Sequence, residues 1–145
     1  MRYCLPQPYQ ELSHTADVGL ETRGDSPEET LARLVLGLAA LLSGGGPVPW
    51  VGERALLASA EGADLAQTAI AALREVLFRF AVRREIPCAC EVRRLAPGGA
   101  DLLVGFGHYR PEIHGEGVDV KAVTYHGARF EPEGAGWRAR VYLDI

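Results

Sequence analysis

At 145 residues, with 48% hydrophobic and 23% charged side chains, the chain is sized for one compact domain, residues 1–145, and its composition disfavours disorder and coiled coil. No apolar run reaches the roughly 18 residues that cross a bilayer, and Met1-Arg2-Tyr3-Cys4-Leu5-Pro6 lacks a secretory pattern, so a cytoplasmic location is expected. The net charge of −4, with no more than two adjacent basic residues (Arg83-Arg84 and Arg93-Arg94), argues against tight direct nucleic-acid binding, which draws on a basic patch that displaces counterions from phosphate.

Alternation of Val18, Leu20 and Thr22 predicts a first strand. Ser26 as cap, Pro27 at the first helical position and Glu29 three residues after the cap then open a helix. Leu31, Leu34, Val35, Leu38, Leu41 and Leu42 give it an apolar stripe, and the run Ser43-Gly44-Gly45-Gly46-Pro47 stops it. Residues 53–61 favour a strand over a helix. Asp64 caps a second helix with Gln67 as its expected reciprocal partner. Leu65, Ile70, Leu73, Val76, Leu77 and Phe80 supply the buried face, and Pro87 closes the segment. Residues 88–95 and 101–109 read as a hairpin around Pro97-Gly98-Gly99. Residues 110–120 are the most loop-like stretch, and residues 120–130 and 137–145 form a last hairpin. In its second strand Trp137, Ala139, Val141, Leu143 and Ile145 share one face, and Arg138, Arg140, Tyr142 and Asp144 the other. The expected architecture is α+β, a single-domain layered sandwich with a mostly antiparallel sheet covered by two helices. No Gly-rich loop runs from a strand into a helix, so a nucleotide-binding unit of the Rossmann or P-loop kind is not supported.

The three cysteines have no framework spacing, which argues against a disulfide scaffold. Cys88 and Cys90 form a lone CxC whose thiols would share a face of a strand. Without a second Cys or His pair at ligand spacing it reads as packing. Fourteen of the fifteen basic residues are arginine, which singles out Lys121, a compact point charge among guanidinium forks.

Three segments are unusually polar for strand ends, namely Ser13-His14-Thr15-Ala16-Asp17, Lys121-Ala122-Val123-Thr124-Tyr125-His126 and Asp144-Ile145. A terminal carboxylate beside Asp144, joined by Asp17, would make an anionic cluster that raises a carboxyl pKa or recruits a cation. Its hard oxygen donors favour Ca²⁺, Mg²⁺ or Mn²⁺ over Zn²⁺. The sequence alone does not bring Asp17 to Asp144. The alternative leaves Asp17 capping a turn and Asp144 as a solvated strand end. His14 and His126 lack metal-ligand spacing, and no serine or cysteine sits beside a candidate base. Hydrogen-bonded structural roles for these histidines are the plainer reading.

Together, His14-Thr15-Ala16-Asp17-Val18-Gly19, Lys121-Ala122-Val123-Thr124-Tyr125-His126 and the closing Asp144-Ile145 resemble the archease family, in order, approximate separation and total length. The resemblance implies an accessory protein, not an enzyme, that helps an RtcB-type RNA-splicing ligase in tRNA splicing by promoting ligase guanylylation and multiple turnover. It further implies a divalent-metal site at Asp17, Asp144 and Ile145 (through its carboxylate or carbonyl oxygen), with Lys121 functional at the same end and His14 and His126 in the partner-facing motifs. The second helix departs from the family pattern, with Ala72-Leu73-Arg74-Glu75-Val76 in place of a Trp-Leu-Asn-Glu-Leu-like stretch. Two other readings are a metal-dependent phosphoester hydrolase using Asp17, His14, His126 and Asp144, and a chaperone-like module whose metal is structural.

Overall fold

The computed structural model describes residues 1–13, 17–44, 52–59 and 64–145. Its elements run β1 (Arg2–Cys4), β2 (Gln10–Ser13), β3 (Asp17–Gly24), α1 (Pro27–Ser43), β4 (Gly52–Ser59), α2 (Leu65–Arg83), β5 (Glu85–Ala96), β6 (Gly99–His108), α3 (Pro111–His114), β7 (Ala122–Glu133) and β8 (Gly136–Asp144). The class is α+β with antiparallel pairing throughout, as expected. The strands divide between two four-stranded sheets, β1-β5-β6-β4 and β2-β3-β8-β7. Both long helices touch both sheets, α1 through β5, β3 and β8, and α2 through β4, β5 and β7.

That placement explains α1. A helix between two sheets has no solvent stripe to spare, and Leu31, Leu34, Val35, Leu36 and Leu38 are all fully buried. A segment apolar on every side is one that packs on every side. The second helix keeps a single buried face, with Ile70, Leu73 and Val76 inside and Arg74 and Glu75 outside.

Local chemistry sets the ends. The side chain of Ser26 accepts the Glu29 N–H at 3.1 Å, and Asp64 accepts the Gln67 N–H at 2.7 Å. Two sequence expectations shift here. α2 stops at Arg84, which takes a left-handed conformation (φ 54°), while Pro87 lies inside β5. The stretch expected to be loop from 110 to 120 contains a single helical turn, Pro111–His114.

Glu29 joins α1 to β1 and to the turn that precedes the helix. Its carboxylate accepts the Asp25 N–H at 2.9 Å and the Tyr3 hydroxyl at 2.8 Å, and lies 3.2 Å from Arg33. These partners, the Asp25 N–H first, hold its carboxyl below the ordinary 4.5 despite burial. A depressed carboxyl stabilises the fold above its unfolded pKa, and the gain is lost as pH falls through the folded value. Glu29→Gln should therefore cost about 1 kcal/mol at neutral pH and flatten the loss of stability below about pH 4.5. Urea unfolding of both proteins at neutral and acid pH checks this.

Candidate functional site

The three polar segments meet through strand register. β8 lies between β3 and β7, so Asp144 faces Asp17 on one side and Ala122 on the other. The Lys121 N–H extends the β7 pairing by donating to the Asp144 carbonyl at 2.8 Å. Directly opposed residues in an antiparallel pair carry Cβ atoms about 4.5–5.5 Å apart on one face, which puts the two carboxylates side by side. Asp17 is half-buried and Asp144 exposed. The Oδ1 atom of Asp17 is sealed from solvent. Ile145 follows at the strand end, 47% exposed, and Lys121 is exposed as well.

His14 lies outside the described residues. His126 is exposed and sits in the irregular stretch of β7 between Thr124 and Arg129. That stretch lies beyond the Thr124–Tyr142 pair, and the register does not set His126 beside the carboxylates.

The same face of the sheet supports the carboxylate pair in ways the sequence reading did not find. Tyr142 lies over Gly19, where an added Cβ would stand 3.1 Å from the tyrosine ring and 2.8 Å from Leu12 Cβ. One row further, buried Glu21 takes two hydrogen bonds from Arg140, at 2.8 and 3.0 Å, and one from Arg23 at 3.1 Å. Arg23 also bonds Glu133 at 2.7 Å, and Arg138 bonds Glu131 at 3.0 Å. Arg140 holds one Glu21 oxygen through two nitrogens and Arg23 holds the other. Charge-assisted bonds of this kind fix geometry as well as charge, which braces the floor beside Asp17 and Asp144. Alternation in β8 had already placed Arg138, Arg140, Tyr142 and Asp144 together. The signal available was the matching row Asp17, Gly19, Glu21 and Arg23 in β3. On the α2 side, Arg74 Nε donates to the Val123 carbonyl at 3.1 Å and the Tyr125 hydroxyl to Asp64 at 3.0 Å. These bonds tie the Lys121-to-His126 segment to the second helix.

The donor set fits a hard divalent cation. Like charges directly opposed on a sheet destabilise it, and a cation converts that repulsion into coordination. Among the described residues no three His, Cys, Asp or Glu side chains converge. A metal here would therefore draw on Asp17, Asp144, the Ile145 main-chain oxygen, and water. An all-oxygen set of that kind suits Ca²⁺, Mg²⁺ or Mn²⁺.

The cysteines stand apart from this corner. Cys90 is in the core, and burial pushes its thiol up to about 12. A register shift between Pro87 and Ala89 breaks the alternation expected of the CxC. It leaves Cys88 within the field of Cys4 and Arg2, its Sγ 3.4 Å from the Gly105 carbonyl. Burial raises the Cys88 thiol too, and Cys4 is exposed. Since thiolates carry the reactivity, an Ellman titration should count one fast thiol in the native protein and three in denaturant.

Fold and site together define a class, that of small two-sheet α+β proteins carrying an oxygen-donor corner where three strand ends meet. The family model described as "Archease protein family (MTH1598/TM1083)" matches residues 9–145. The chain belongs to the archease family. It is 30% identical over 141 residues to the protein archease of Methanopyrus kandleri, covering 95% of this chain and 99% of that protein. It is 28% identical to the protein archease of Methanosarcina mazei, covering 94% and 95%. Among solved structures, the solution structure of Methanobacterium thermoautotrophicum protein 1598 superposes with a TM-score of 0.75 at 23% identity, covering 94% of this chain and 98% of that one. The Thermotoga maritima crystal structure, described as an archease and possible chaperone, gives 0.58 at 19% identity, with 99% of each chain covered. Among the described residues no helix is long and apolar enough to cross a membrane.

Proposed function

We propose that this protein is a non-enzymatic activator of an RtcB-type RNA-splicing ligase, acting in tRNA splicing through the corner formed by Asp17, Asp144, Ile145 and Lys121. The observation that supports the reading best is the register that sets Asp17 opposite Asp144 while Lys121 hydrogen-bonds the Asp144 backbone. In this reading Asp17 and Asp144 would hold a divalent ion, which when bound would supply charge neutralisation to a phosphoryl group in transfer. Lys121 offers a point charge at the same corner, and the Arg140–Glu21 pair braces the two strands that carry the carboxylates. Phosphoryl transfer is accelerated chiefly by positioning and by neutralising charge, so an accessory protein can promote ligase guanylylation without a nucleophile of its own. The overall charge of −4 fits a role reached through a protein partner rather than through RNA.

A stand-alone phosphoester hydrolase has less support, because a base within hydrogen-bonding reach is its first requirement. Among the described residues, His126 is not set beside the carboxylates. The chaperone-like reading draws on the name of the Thermotoga relative. It predicts that chelation unfolds the protein, whereas the activator reading predicts lost stimulation with modest loss of stability.

The test is multiple-turnover RNA joining by a matched ligase with sub-stoichiometric activator. Lys121→Ala is expected to lower stimulation at least roughly tenfold, about 1.4 kcal/mol of transition-state stabilisation, with an unchanged melting temperature. Stimulation equal to that of the parent protein would remove Lys121 from the mechanism.

A further inference from the structure

On the other sheet, the C-terminal end of α2 stands over the strand ends of β4, β5 and β6 and leaves a cavity of about 170 Å³. Its lining includes Arg54, Arg83, Glu85, Phe106 and His108. Register assembles it, with Glu85 opposite His108 and Gly52 opposite Phe106. Arg83 comes from the last turn of α2. One turn earlier, Arg79 lays its guanidinium over the Phe106 ring, 5.6 Å from the centroid.

The guanidiniums here lack the carboxylate hydrogen bond that six others in the chain make. Arg2, Arg23, Arg93, Arg94, Arg138 and Arg140 each hydrogen-bond a carboxylate. At the cavity the available carboxylate is Glu85, which stands 4.0 Å from both Arg79 and Arg83, too far for a hydrogen bond. Arg54 donates to the main-chain oxygen of its neighbour Glu53. The Arg79 Nε is shut from water and makes no hydrogen bond among the described residues. Arg54 and Arg83 thus line a cavity whose lining holds one carboxylate, Glu85, with Arg79 against the Phe106 ring beside it, in a chain whose net charge is −4. The α2 C-terminus contributes roughly half an elementary charge of opposing sign, which leaves the cavity positive.

We propose that this cavity binds a phosphate group, either as inorganic phosphate or as the end of a small phosphomonoester. A tetrahedral dianion offers acceptors in several directions at once, which suits guanidinium forks arriving from β4 and from α2. The buried Phe106 ring shields one side from water and strengthens the charge pairing. Glu85 is the competitor that the ligand displaces electrostatically. The site lies apart from the carboxylate corner and does not depend on the activator reading.

The experiment is calorimetric titration of the 145-residue protein with inorganic phosphate and, separately, with glycerol 3-phosphate. Saturable one-site binding is expected. Arg54→Ser and Arg83→Ser should each weaken it about tenfold, the equivalent of one charge-assisted hydrogen bond. Glu85→Gln should tighten it several-fold, an effect that a merely structural role for Glu85 would not produce. Arg93→Ser, on an exposed strand position, should leave it unchanged, and thermal melts verify that each variant is folded. Tighter binding of glycerol 3-phosphate assigns the site to a monoester, and tighter binding of phosphate assigns it to the free ion. Absence of saturable heat, or equal weakening by Arg93→Ser and Arg83→Ser, would overturn the proposal.

Discussion

Asp17→Asn is expected to stabilise the metal-free protein slightly and to abolish its stabilisation by divalent cations, two effects of opposite sign from one substitution. The metal-free gain comes from the register. Asp17 and Asp144 are direct cross-strand partners, and removing one of two opposed like charges relieves about 0.2–1 kcal/mol. Burial adds to it, because Asp17 is half-buried with Oδ1 sealed from solvent, and a neutral amide costs less to desolvate than a carboxylate. The loss comes from linkage. A cation that binds the folded chain at a hundred times its dissociation constant stabilises it by about 2.7 kcal/mol. For a chain of this size that raises the melting temperature by roughly 5–10 °C. An asparagine retains one neutral oxygen donor and forfeits a charge, so the variant should show little of this shift. Melting curves in chelator and in excess Ca²⁺ or Mn²⁺ would then cross, with the variant higher without metal and lower with it. Equal metal-induced shifts in both proteins would remove Asp17 from the cation site.

Gly117→Ala should be among the most damaging single substitutions outside the core. The segment after α3 runs along the end of α1, where the Val118 N–H donates to the Leu41 carbonyl at 2.8 Å. A Cβ on Gly117 would collide with the Leu41 carbonyl oxygen and stand 2.5 Å from the Leu42 oxygen. Both obstacles are helix backbone, which cannot turn aside as a side-chain tip can. The strap has to lift, and it loses the Val118 bond and the packing of Val120 (8% exposed). A cost of about 2–4 kcal/mol follows, or roughly 5–15 °C in melting temperature. The functional consequence is larger than for an equally destabilising core change, because the strap delivers Lys121 to Asp144. A comparison with Leu102→Ala, matched for stability loss and buried in β6 of the other sheet, separates the two effects. Gly117→Ala should lose ligase stimulation even at temperatures where it is folded, and Leu102→Ala should keep it.

The secondary structure was largely legible because its signals are local. Ser26, Pro27 and Glu29 announce α1, Asp64 announces α2, and the alternation from Trp137 to Ile145 announces β8. What the sequence concealed is set by tertiary contacts. The even burial of α1 depends on two sheets rather than one, and a run such as Leu34-Val35-Leu36 fits a stripe or full burial equally well. Arg84 ends α2 with a backbone conformation that non-glycine residues rarely adopt, so Pro87 looked the better stop. The candidate corner was legible as three polar strand ends, but their meeting rests on the order β3-β8-β7, which no local pattern encodes. The Glu21–Arg140 floor and the cavity at Arg54 and Arg83 each unite residues from distant parts of the chain, and single-strand periodicity carries no trace of that.

The most direct test of the account is ligase guanylylation measured with sub-stoichiometric amounts of this protein or of its Asp17→Asn variant, across a titration of divalent cation. The account predicts metal-dependent stimulation by the parent protein, each molecule serving many ligases, and stimulation reduced at least roughly tenfold by the variant. Equal stimulation by both proteins, or none by either with a matched ligase, would contradict it.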